Sequence, residues 1–401
     1  MLFKYIDLKV IFVAFFVAFL CFGIFWQIDK RIRADEWLWV PNGVRFVDAV
    51  FEGNLAKTKV SARPGVTVIW ISGATTRLAQ KIFDVKILKI QNQIFISPQG
   101  YVLNRITFGV ITIILLLGSF LLLSRLIEWQ KAALVVGLVS TNQFTLLGGN
   151  IVWTDLFLAI LVFLSVISFL LFYRQGRGVY LVLSGIFFGL AIAKKTAAIV
   201  LLPSVLLTYY LTNPSRDYLK KSLLYTASVA FFGLAFFYLI YPYLWVKLSG
   251  VFDRYSEFSE VLAASELDSN PNTLYSPFFY LTVLFKANPI LTGFSGIFVA
   301  FEIIRSVLSR KIDLPVVLPL IVSLIYLGIL FTVSQFTYLS GVRIASTRYI
   351  IPVFYLLSLF LVASIAQIAK PKYKILWLLP IAVILYNLYD LIFFFPYEVG
   401  K

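Results

Sequence analysis

The chain contains no histidine, which excludes His-based catalytic triads and His-ligated metal sites. It has one cysteine, Cys21, inside an apolar run, so no internal disulfide can form and nothing follows about redox compartment. Charge is scarce as well. Only 13% of the 401 residues are Asp, Glu, Lys or Arg, whereas 60% are hydrophobic. A soluble domain could not hide that much apolar surface, so the expected class is an all-α polytopic membrane protein. Aromatic residues make up 17%, and many of them should face lipid or the interfaces. The net charge of +16 has no basic soluble domain to sit on. It reads as Lys- and Arg-rich cytoplasmic loops, and nucleic acid is not an expected partner. There is no internal repeat, no low-complexity tail and no loop long enough to hold a soluble domain with a large core.

A membrane span needs about 20 apolar residues, and on that rule the chain reads as about eleven helices. They fall near 8–28, 104–124, 130–148, 151–173, 178–193, 196–211, 222–241, 281–304, 313–334, 348–369 and 375–395. No small-residue cleavage site follows the first run, so it reads as an uncleaved span. Basic residues cluster in alternate loops, among them Lys4, Lys9, Arg125, Lys131, Arg174, Arg177, Lys220, Lys221, Arg310 and Lys311. They share one side if the amino terminus is cytoplasmic. The other loops are then external, including the long segments 29–103 and 242–280. Residues 1–401 form a single transmembrane domain in this reading. In loop 29–103, the stretch Val44 to Phe51 and the stretch from Val66 to Leu78 after Pro64-Gly65 have the pattern of helices lying on the membrane surface. Loop 242–280 carries Asp253, Glu257, Glu260, Glu266 and Asp268.

The candidate chemistry starts at Asp35-Glu36, between Lys30-Arg31-Ile32-Arg33 and Trp37-Leu38-Trp39. These are two solvated loop acids, or a carboxylate at headgroup depth serving as general base toward an acceptor hydroxyl. Desolvation at the interface would raise its pKa toward a useful value. Asp155, in Trp153-Thr154-Asp155-Leu156, is either a first-turn acid favoured by the helix dipole or an acid facing the bundle interior. Lys194-Lys195 puts two cations on the external side, against the positive-inside trend. They are snorkelling loop lysines or phosphate contacts. Arg63, in Arg63-Pro64-Gly65, Arg348-Tyr349 and Lys286 are further external cations next to spans, suited to phosphate or to lipid headgroups.

In order and sidedness these segments resemble the GT-C membrane glycosyltransferases, in particular the group of the protein O-mannosyltransferases and the lipid A aminoarabinose transferase. The likeness runs from about residue 8 to 369. It rests on the acid pair Asp35-Glu36, the turn Arg63-Pro64-Gly65, Thr154 to Phe157 opening a span, and Gly189 to Pro203 with its lysines. It rests further on Tyr241-Pro242-Tyr243-Leu244-Trp245, on Ser276 to Lys286, and on Arg348-Tyr349-Ile350-Ile351-Pro352. The resemblance implies a GT-C type bundle in the plasma (inner) membrane with its site on the external or periplasmic face. It implies inverting transfer of a hexose or pentose from a polyprenyl-phosphate donor to a hydroxyl of a lipid, protein or cell-envelope glycan. Asp35 would then be the base, with Glu36 supporting it and Asp155 as second acid. Arg63, Lys194, Lys195, Arg348, Lys286 and Tyr349 would bind the donor phosphate. Some relatives are thought to hold a divalent metal through an acid before a Lys-Pro-Pro turn and a histidine. Here Ala62 stands in the acid's place and histidine is absent. The expectation is therefore a metal-independent site, or a metal held by Asp35 and Asp155 alone. Two other functions compete: a non-catalytic envelope-polymer assembly subunit with the same fold, and a transporter or flippase. A transporter would place its charges nearer the bilayer midplane.

Overall fold

The computed structural model describes residues 8–26, 28, 34–60, 65–90, 93–212, 215–249, 279–309, 313–340, 350–368 and 375–393. The chain opens with the apolar helix α1 (Leu8–Phe25), then α2 (Ala34–Phe51), a short 3-10 helix (Leu55–Thr58) and α3 (Val66–Phe83). An antiparallel hairpin follows, β1 (Ile87–Ile90) paired with β2 (Gln93–Ile96), with Ile87 opposite Ile96. The remainder is helical: α4 (Pro98–Leu126), α5 (Trp129–Thr141), α6 (Gln143–Gly148), α7 (Asp155–Gln175), α8 (Gly178–Ile192), a 3-10 turn (Thr196–Val200), α9 (Leu201–Thr212), α10 (Arg216–Ile240) and α11 (Tyr243–Val246). Beyond residues 250–278 come α12 (Phe279–Ala287), α13 (Pro289–Ser309), α14 (Leu314–Ser340), α15 (Ile351–Ile368) and α16 (Leu378–Phe393).

Six of these helices, α4, α7, α10, α13, α14 and α15, are long and apolar enough to cross a membrane. The chain is thus a multi-pass membrane protein. Burial ranks the helices by position. The apolar windows of α7 and α15 are 89% and 83% buried, that of α10 only 11%. The first two form the axis of the bundle, and α10 turns most of its surface to the outside. Helix α7 has Asp155 in its first turn and Arg174 in its last, matching the helix dipole at both ends. It stops at Gly176, a left-handed residue whose N–H donates to the Phe172 carbonyl at 2.7 Å.

The expected run 130–148 is broken. Asn142 ends α5, and its side chain accepts from the Phe144 amide at 2.9 Å to start α6. The expected run 281–304 is broken at Asn288, which caps α13 by accepting from the Leu291 amide at 2.7 Å. The segment 29–103 also differs from its sequence reading. Helix α2 starts at Ala34, ten residues before the amphipathic stretch, so Asp35 and Glu36 stand in a first helical turn. The hairpin was not foreseen. Helices α2 and α3 cross where glycine meets glycine: a Cβ built on Gly73 would lie 2.1 Å from the Gly43 carbonyl oxygen. Trp70 Nε1 of α3 donates to the Ile240 carbonyl at 2.7 Å, and Asn104 Nδ2 of α4 donates to Thr76 Oγ1 at 2.8 Å. These bonds seat the α2–α3 pair on the end of the bundle.

Candidate active site

Two apolar cores divide the molecule. The larger fills the bundle. The smaller gathers Trp39, Val66, Val152, Phe157, Ala193 and Tyr241, so it brings five of the motif segments to one place.

At its rim, Glu36 is completely buried, and both of its carboxylate oxygens accept from Arg105 of α4, at 2.8 Å from Nε and 2.5 Å from Nη2. Arg105 also donates from Nη1 to the Ile28 carbonyl at 2.9 Å, which ties the start of α2 to the chain just after α1. A fork of guanidinium donors suits this bidentate geometry. Asn150 Nδ2 donates to the Ile24 carbonyl at 2.6 Å and holds the approach to α7 against α1. Asp35 lies one residue before Glu36 in the same turn and is partly exposed. One carboxylate of the pair is thereby fixed as an anchor, and the other reaches solvent.

Asp155 is buried, and its Oδ1 pairs with Lys195 Nζ. Lys194 is fully buried too. Its Nζ has no hydrogen-bond partner and sits 4.0 Å from the centre of the Phe157 ring. Burial pulls the Lys194 ammonium well below its ordinary value of 10.5, while the nearby Asp155 charge acts in the opposite direction. The turn that carries both lysines is bonded to α3. The Val66 amide donates to the Ala193 carbonyl at 3.0 Å, and Thr67 Oγ1 donates to the Leu190 carbonyl at 3.4 Å. Gly65 therefore lies against the lysine turn, and a Cβ there would fall 2.6 Å from the Trp39 ring. Phe108, one turn beyond Arg105 on α4, stacks edge-on with Phe157 at 5.2 Å. A packed chain thus runs Glu36, Arg105, Phe108, Phe157, Lys194.

The sequence candidates separate accordingly. Asp35, Glu36, Asp155, Lys194 and Lys195 are all carried by elements that meet at the smaller core. Lys286 is exposed on α12, whose buried Leu284 belongs to the larger core. Arg63, Arg348 and Tyr349, and the acids of 253–268, lie outside the described residues. Arg105 was missed. It was visible as a charge at the edge of a span, which demands a partner. Among the described residues no three acids or cysteines converge as metal ligands. The Asp155 carboxylate already holds the Lys195 ammonium, and a divalent cation there would meet that charge. Among the described residues this donor set does not fit a metal.

The fold is that of the GT-C glycosyltransferases. The structure of ArnT from Cupriavidus metallidurans bound to undecaprenyl phosphate superposes with a TM-score of 0.58 at 16% identity, over 90% of this chain and 61% of that one. The Archaeoglobus fulgidus oligosaccharyltransferase in complex with Zn and sulfate gives 0.55 at 14% identity, over 94% and 52%. The chain spans about three fifths of the length of ArnT and about half that of the oligosaccharyltransferase. No curated protein sequence matches it. The sequence family described as dolichyl-phosphate-mannose-protein mannosyltransferase matches residues 87–241, from the hairpin through Lys194-Lys195 to the end of α10. The GT-C resemblance carried by the motifs is borne out.

Proposed function

We propose that this protein transfers a sugar from a polyprenyl-phosphate donor to an acceptor hydroxyl with inversion, on the external or periplasmic face of the membrane. The observation that carries the reading is Lys194. A buried ammonium without a hydrogen-bond partner is unfavourable unless an anion joins it. A donor phosphate is such an anion, and Lys195 stands beside it. ArnT, whose fold this chain shares, has been captured with undecaprenyl phosphate.

In the reaction the acceptor oxygen forms a bond to the anomeric carbon as the bond from that carbon to the phosphate oxygen breaks. The electron pair leaves with the polyprenyl phosphate, where Lys194 and Lys195 stabilise the charge that develops. The acceptor proton passes to the Asp35 carboxylate. Glu36, held by Arg105, fixes the turn that carries Asp35. Asp155 orients Lys195. Arg63, Arg348 and Tyr349 complete the donor-binding set in this reading, and Lys286, exposed on a helix of the larger core, drops out of it. The alternative of a non-catalytic assembly subunit draws on one observation: the charges of Glu36 and Asp155 are both taken up by ion pairs. Purified protein incubated with undecaprenyl-phosphate hexose and pentose donors decides between them. Turnover of one donor class supports the transferase, and donor binding without release of lipid phosphate in any acceptor mixture supports the subunit.

A further inference from the structure

Helices α4 and α7 carry charge toward both of their ends. Helix α4 has Arg105 toward its start and Arg125 in its last turn, and α7 has Asp155 in its first turn and Arg174 in its last. At the rise of an α-helix each pair is about 30 Å apart, so Arg125 and Arg174 stand a bilayer core away from the candidate active site. There they line a hollow of about 350 Å³ together with Lys131 and one acid, Glu128. It lies where the ends of α4, α7 and α15 meet the start of α5, and Leu126, Ile127 and Ala366 give it an apolar wall.

The charges of this hollow do not cancel. Glu128 Oε1 accepts from Lys131 Nζ at 3.0 Å, which matches one cation. Arg125 donates from Nη1 to the hydroxyl of the buried Tyr180 at 3.2 Å, a bond that orients the guanidinium without neutralising it. Arg174 makes no hydrogen bond or ion pair among the described residues. Two acids of the neighbouring helices are already engaged: Asp313 accepts from Gln367, and Glu302 accepts from Arg305 Nε at 2.9 Å. Both arginines of the hollow lie in last helical turns, where each helix end offers about half a negative charge. The two ends offset about one of the two positive charges and leave the other. The sequence from 369 to 377 adds Lys370, Lys372 and Lys374 and no acid. A guanidinium fork suits a phosphate, and depth in the membrane selects its source. Trp129 opens α5, Trp377 directly precedes α16, and Lys131 Nζ lies 5.8 Å from the centre of the Trp377 ring. Tryptophans so placed mark the headgroup layer, and the basic loops assign this end to the cytoplasmic side. Basic pockets between helices on that side hold anionic lipid headgroups.

We propose that this hollow is a phosphate site for the headgroup of an anionic phospholipid, seated between Arg125 and Arg174 at the end of the bundle opposite the candidate active site. It is independent of the transferase reading. A phosphate held by both arginines bridges the ends of α4 and α7, so lipid binding stabilises the folded chain by mass action.

The test titrates the purified full chain in neutral detergent with dioleoyl phosphatidylglycerol and with dioleoyl phosphatidylcholine, and follows bound lipid by native mass spectrometry. Phosphatidylglycerol should bind more tightly than phosphatidylcholine. Arg125→Gln with Arg174→Gln should weaken it about tenfold or more, as for lost charged hydrogen bonds. Arg177→Gln with Lys220→Gln removes as much charge from exposed positions outside the hollow and should leave the affinity unchanged. If the first double variant does not fold, Arg174→Gln alone, at an exposed position, carries the same comparison. Equal losses in the two double variants would assign the effect to general surface charge and overturn the proposal. Equal binding of the two lipids, or phosphatidylglycerol binding indifferent to Arg125 and Arg174, overturns it as well. Displacement of phosphatidylglycerol by glycerol 3-phosphate at comparable concentration overturns the lipid assignment in favour of a soluble phosphate, and resistance to that displacement supports it.

Discussion

Arg105 grips both carboxylate oxygens of Glu36, at 2.8 and 2.5 Å, with neither side chain more than 4% exposed. The two adjacent acids of α2 are thus unequal. Glu36 anchors the helix to α4, and Asp35 is left with access to solvent. Removing one partner of such a pair strands the other charge in a dry site, which costs about 3–5 kcal/mol. Glu36→Leu and Arg105→Leu should each lower the thermal unfolding midpoint in detergent clearly, and the double substitution should recover much of the loss. Additive losses in a double-mutant cycle would show that the pair is not coupled.

Asp35→Asn should behave in the opposite way. The protein should insert and unfold like wild type, because Asp35 lies at a partly exposed position of the first turn. Transfer should fall by about 10²–10⁴, the usual share of a positioned general base. A rate within a factor of about two of wild type would remove Asp35 from the mechanism.

Lys194→Met should separate binding from folding. It removes a buried ammonium that has no hydrogen-bond partner, so the fold should be as stable as wild type or more so. Affinity for undecaprenyl phosphate should drop by about one to two orders of magnitude, as for a charged hydrogen bond worth about 1.5–3 kcal/mol. Isothermal titration of the lipid phosphate into both proteins provides the comparison.

The same lysine sets a pH dependence. Its folded-state proton affinity is depressed by burial, so the unfolded chain binds more protons in the window below 10.5. Stability should therefore rise with pH through that window. Phosphate binding has the reverse sign, because the anion stabilises the charged lysine and raises its proton affinity. Affinity should weaken as the pH climbs through the lowered value, well before 10.5, and the trend should flatten in Lys194→Met. An identical pH profile in the two proteins would assign the effect elsewhere.

The α2–α3 crossing is a packing test remote from the charges. A Cβ on Gly73 would stand 2.1 Å from the Gly43 carbonyl oxygen, so Gly73→Ala forces the helices apart. Overpacking of this kind costs about 1–3 kcal/mol. The unfolding midpoint should fall, and transfer should fall with it because Asp35 rides on α2. Unchanged stability would mean that the two helices slide without resistance.

Much of this arrangement is written in local sequence. The apolar runs mark the helices of the bundle. The acid pair, Thr154 to Phe157 and Lys194-Lys195 stand out because charge at a span edge needs a reason. Other features depend on tertiary contacts that no local pattern carries. Pro41 and Gly43 disguise α2, which is helical because its face packs on α3 across two glycines. The hairpin has only four residues per strand, too short a pattern to stand out from apolar loop sequence. Arg105 shows in the sequence as a charge at the edge of a span, but its partner Glu36, 69 positions earlier, is set by the fold alone. The break at Asn142 comes from a single side-chain cap in an otherwise continuous apolar stretch.

The central claim is most directly tested by release of undecaprenyl phosphate from a sugar-charged donor, measured side by side for purified wild type and Asp35→Asn. The wild type should release lipid phosphate with turnover, and the variant should bind the donor equally well yet release almost none. Equal release by the two proteins, or donor binding without any release by the wild type, would contradict the account.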